Sequence, residues 1–94
     1  MQHTYVSLEE LVLLSVVNEP MKLCDAVKRA VEVFEGPRFD RAVALATVHA
    51  LVGKNLLLRE GLVVLPVRRG VDAARDTIEV MRRLENHLQR NWLR

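Results

Sequence analysis

RFDRAVALATVHALVGKNLLLREGLVVL, residues 38–65, decides how the rest of this 94-residue chain is read. From Phe39 to Val52 it is rich in Ala and Leu, with neither Pro nor internal Gly, as a packed helix requires. Gly53 follows where a left-handed residue would close that helix, because Gly has no Cβ to penalise positive φ. Two apolar runs, Leu56 to Leu58 and Leu62 to Leu65, then flank Arg59-Glu60-Gly61. That spacing predicts a short hairpin whose turn uses Gly.

Upstream, residues 1–6 carry no clear signal and fit a disordered arm or a short extended segment equally. Ser7-Leu8-Glu9-Glu10 reads as a capping box opening a first helix that runs to about Val17. This helix is apolar almost all round, so it should be central and heavily buried. Asn18-Glu19-Pro20 ends it. A second helix spans about 23–35, with Leu23, Val27, Ala30, Val31 and Phe34 on one face and charged residues mostly on the other. Gly36-Pro37 is a turn signal. In the third helix, Ala42, Ala46, His49 and Gly53 form a line of small residues that lets another surface come close. A packed helix fits that line at least as well as a DNA groove.

Downstream, the hairpin is unusually apolar for a loop that touches only phosphate, so part of it is expected to pack. Pro66 ends its second strand. A last helix runs from about Val71, or from Asp72 as cap, to Trp92. Val71, Ala74, Ile78, Met81, Leu88 and Trp92 fall at heptad-like steps, interrupted by Glu85 and with Leu84 beside the stripe. A second copy of the chain would cover that stripe, and a domain this small gains from dimerisation; the alternative is that the helix folds back on the first helix in a monomer.

Half the residues are hydrophobic, but only 4% are aromatic, so the core must be built mainly from aliphatic side chains. No apolar run approaches the ~20 residues of a membrane span, and residues 11–17 do not read as a signal peptide; the expected location is the cytoplasm. The one cysteine, Cys24, excludes an intrachain disulfide and a cysteine-cluster zinc site. Its neighbours Leu23, Val27 and Val31 predict a packed or partly packed thiol. No second ligand has metal spacing with His49, so no metal is expected. Phosphate-loop, nucleophile-elbow and metalloprotease motifs are all missing, which argues against an enzyme and gives no reason to expect a cofactor.

The net charge of +2 is unevenly spread. Residues 1–37 carry three bases against six acids, whereas 38–70 carry six bases against two acids. The basic excess therefore coincides with the third helix and hairpin, as a DNA-contacting surface would require. Arg38 and Arg41 are the strongest candidates for groove or phosphate contact. His49 is a weaker candidate for base contact, and Lys54, Asn55 and Arg59 would set the hairpin side on phosphates. Arg68 and Arg69 are candidate phosphate neighbours.

The order of elements resembles winged helix-turn-helix transcription regulators, most closely the PadR-like group, with elements shared by MarR- and ArsR-type proteins. Glu19-Pro20 through Val27 is similar to the PadR-like turn into the second helix, with Leu23 and Cys24 in the region of a Gly-Tyr pair. Thr47-Val48-His49-Ala50-Leu51 resembles the Thr-Leu-Tyr-x-x-Leu core of the recognition helix, with His49 in the aromatic slot. Leu65 to Gly70 resembles the Leu-Thr-x-x-Gly lead into the C-terminal helix, with Pro66 in place of Thr. The resemblance implies a mainly α fold with a small β-hairpin: a winged domain over residues 1–70 and a dimerisation helix over 71–94. It implies a homodimer on double-stranded DNA, with the third helix in the major groove and the hairpin near the backbone. Ile78, Met81, Leu84, Leu88 and Trp92 would join the two copies. A winged protein–protein assembly module without DNA binding is the alternative, favoured by the scarcity of base-reading side chains in the third helix. A small accessory helical dimer with a structural role is a third.

Overall fold

The computed structural model describes residues 4–92; the side chain of Trp92, one of the expected dimer contacts, lies outside the described residues. The chain is mainly helical, with a small antiparallel sheet and a long C-terminal helix. Ser7 caps α1 (Leu8–Val16) in a complete capping box: its hydroxyl accepts from the Glu10 N–H at 3.1 Å, and its own N–H donates to Glu10 Oε1 at 3.0 Å. α1 is central and heavily buried, as its composition suggested: Leu11 and Leu13 are buried, Val12, Leu14 and Val16 are partly buried against the core, and only Leu8 and Ser15 face solvent.

After Pro20 the chain is extended, and Met21–Lys22 forms a short strand, β1, that sequence pattern did not reveal. α2 (Leu23–Phe34) buries Ala26, Val27 and Ala30. Cys24 is exposed, not packed as its neighbours suggested. It lies two residues before Ala26, about 200° around the helix and so off the buried face. Beyond α2 the Phe34 and Phe39 rings stack with centroids 4.5 Å apart, which fixes the turn into the next helix.

That helix, α3 (Arg41–Gly53), starts two residues later than composition suggested, because Asp40 is its cap and accepts from the Val43 N–H at 2.9 Å. Its C-terminus also differs from expectation. Gly53 is the last helical residue, and the left-handed position is Asn55, at φ 61°. The Asn55 N–H donates to Val52 O at 3.0 Å and the Leu56 N–H to Leu51 O at 2.9 Å, closing a Schellman motif.

The hairpin is formed by β2 (Leu57–Glu60) and β3 (Val63–Pro66), with Gly61 at φ 61° in the turn. β1 pairs antiparallel with the free edge of β3, Met21 opposite Val64 and Lys22 opposite Val63, so the sheet order is β1-β3-β2. The two-stranded hairpin is thus part of a three-stranded sheet that ties the start of α2 to the hairpin turn; the Leu23 N–H extends the link to Leu62 O at 2.7 Å.

α4 (Arg68–Trp92) begins at Arg68, before the expected start at 71 or 72. Gly70 is therefore a helical residue and not a loop hinge. A Cβ there would collide with the Leu56 carbonyl oxygen and approach Leu14 Cδ2 at 3.1 Å, so this glycine permits the close docking of α4. α4 packs on α1. Thr77 closes the contact: its buried hydroxyl accepts from the Val6 N–H at 3.1 Å and donates to Ala73 O at 2.8 Å. Leu13, Val17, Val48, Leu51, Leu56 and Val64 form the centre of the core, between the first three helices and the sheet.

Candidate functional site

α3 is held by Ala44, Thr47, Val48 and Leu51, which are buried. Its opposite side is open to solvent and carries Arg41, Ala42, Val43, Leu45, Ala46, His49 and Ala50. The line of small residues read in the sequence therefore faces outward, with Ala46 bordering a shallow hollow shared with the start of α1. Of these outward residues only Arg41 and His49 carry a side chain able to hydrogen-bond a base edge.

The eight candidate contact residues do not form one patch. Arg38 is exposed in the loop before α3, and Arg41 is its first helical residue. Lys54 and Asn55 lie beyond its other end, across 13 helical residues or about 20 Å of axis. Lys54 is already engaged: its ammonium lies 2.7 Å from Glu10 Oε2, whose side chain is only 9% exposed. Burial penalises the Glu10 charge, but hydrogen bonds from Lys54 and Ser7, with the Lys54 charge itself, outweigh that penalty and hold the carboxyl below its ordinary value. Asn55 serves the backbone turn. Arg59 is half-buried on β2 and its Nε donates to Gly61 O at 2.8 Å, bracing the hairpin turn. Arg68 and Arg69 are exposed on the first turn of α4, with Arg68 Nε 3.4 Å from Asp72 Oδ1.

What the fold does bring together lies at the N-terminal end of α3. A groove of about 760 Å³ runs between α2, α3 and the hairpin turn. Arg41, Lys22 and Lys28 line it, with Asp25 the single acid. Lys22 and Lys28 escaped the sequence reading because residues 1–37 are acidic in sum. The signal available was narrower: Lys22 lies beside the helix start and Lys28 follows six residues later, whereas the acids of that segment are dispersed.

The stripe on α4 is also placed. Ile78, Met81, Leu84 and Leu88 are exposed, and Val80, not foreseen, joins them at 43% exposure. All the described side chains from 78 to 91 are exposed, with Glu79, Val80 and Arg83 bordering a small hollow beside Tyr5. Among the described residues no cluster of His, Cys, Asp and Glu has metal-holding geometry, and no helix is long and apolar enough to cross a membrane. Compared with known proteins, the chain matches no family model, no curated protein and no solved structure.

Proposed function

We propose that the chain is a dimeric, DNA-binding transcription regulator of the winged helix-turn-helix kind. The observation that carries the proposal is the gathering of Lys22, at the N-cap of α2, and Lys28, in its first half, with Arg41 at the start of α3, beside the hairpin turn. The order of elements, the outward face of α3 and the exposed stripe on α4 support it. α3 would approach the major groove by its N-terminal half, with Arg41 and His49 toward base edges. Lys22, Lys28 and Arg38 would hold phosphates, and the Gly61-Leu62 turn would lie along the adjacent backbone. Small residues at 42, 46 and 50 allow close approach but read little, so most of the affinity would come from phosphate contact. α4 would join two copies through Ile78, Met81, Leu84 and Leu88, spacing the two α3 helices for successive half-sites.

The test is a double charge reversal, Arg38→Glu with Arg41→Glu. Duplex affinity should fall by well over tenfold while the sedimentation coefficient stays that of the parent protein. Unchanged affinity would remove α3 from the DNA surface. A second reading, a protein–protein assembly module, is favoured by one observation: the outward face of α3 is mostly Ala, Val and Leu. Failure of the parent protein to bind duplex even at low salt would favour it.

A further inference from the structure

The groove at the start of α3 has an apolar side that a duplex would leave unused. Besides its cations it is lined by Leu23, Val27, Leu45 and Leu62. Leu62 is 74% exposed and Leu45 38%, so these side chains are offered to solvent along an open trough. Small ligands are usually engulfed by the cavities that bind them. An open apolar trough suits the side-chain row of a helix laid into it. Charge selects the kind of helix: three cations against Asp25 alone favour an acidic partner. We propose that this groove docks an amphipathic helix of a protein partner, apolar toward Leu23, Leu45 and Leu62 and acidic toward Lys22, Lys28 and Arg41. Such a segment competes with DNA for the same face. The competition rests on the DNA-binding proposal above; the docking does not.

Cys24 makes occupancy measurable. It is the only cysteine in the chain, it is exposed, and it lines the groove. The probe is a fluorescein-labelled amphipathic helical peptide with Leu along one face and Glu along the other; the control carries Lys in place of Glu. The Glu peptide should bind at least about tenfold tighter than the Lys peptide and slow disulfide exchange of Cys24 with an aromatic disulfide reagent by a similar factor. Leu45→Ser with Leu62→Ser, both on the surface, should weaken binding about tenfold. Val33→Ser, exposed on α2 and outside the groove lining, should leave it unchanged. Full Cys24 reactivity under saturating peptide, or loss of binding only in the Val33 variant, would overturn the docking. Unlabelled Glu peptide should also displace labelled duplex. A duplex that binds and is not displaced refutes the competition and leaves DNA binding standing. A duplex that never binds refutes the DNA proposal alone, and protection of Cys24 still decides the docking.

Discussion

Lys54 gains in the structure a partner that the sequence did not suggest. Its place after the helix suggested a phosphate contact, yet its ammonium sits on Glu10, 44 positions away in the chain. No local pattern announces a pair so distant, whereas the Ser7–Glu10 capping box, three residues apart, was legible at once. The Glu10 carboxyl is held below its ordinary value of 4.5, so it binds protons more readily unfolded than folded. Its contribution to stability is therefore complete above pH 4.5 and is lost as pH falls through the lower folded value. Thermal unfolding followed from about pH 7 to about pH 3 should show a steeper loss in the parent protein than in Glu10→Gln. At neutral pH, Lys54→Met should cost about 1–3 kcal/mol, because it leaves a buried carboxylate short of a donor. A neutral effect of Lys54→Met would return Lys54 to the pool of free surface cations.

At the scale of elements, the parts with strong periodicity or clear punctuation were legible: α2, α3 and the hairpin lie close to where the pattern put them. β1 was not, because two residues have no period; Met21 and Lys22 are a strand only because β3 offers them a free edge. The start of α4 was misjudged because Gly70 reads as a breaker, while its actual task is steric. Gly70→Ala should destabilise the fold by about 1–3 kcal/mol through the collision with the Leu56 carbonyl, measured by urea unfolding. Gly53→Ala is the matching control. That residue is helical, with open space where its Cβ would go, and the substitution should be neutral or stabilising. Equal effects at the two positions would refute the packing role of Gly70. Half of the candidate site was readable in the same sense. Arg38 and Arg41 were marked by their place before and in α3, but Lys22 and Lys28 join Arg41 only through the tertiary fold.

On the scale of the whole molecule, the chain measures 52 × 36 × 19 Å, and α4 alone is about 37 Å long. Its last half carries Ile78, Val80, Met81, Leu84 and Leu88 in the open. The proposed pairing of two α4 helices predicts that Leu84→Glu with Leu88→Glu yields a monomer in sedimentation equilibrium. Glu85 sits within the stripe, where a parallel pairing in register would oppose it to its own copy. Glu85→Leu should therefore tighten the dimer by about tenfold. A parent protein that sediments as a monomer at roughly 100 μM would end the dimer proposal. DNA binding is most directly tested by the affinity of the parent protein for a generic labelled duplex, measured by fluorescence anisotropy across a series of salt concentrations. With Lys22, Lys28, Arg38 and Arg41 on phosphates in one or both protomers, log affinity should fall against log salt with a slope of roughly −4 to −7. A flat line, or no binding at the lowest salt, would contradict it.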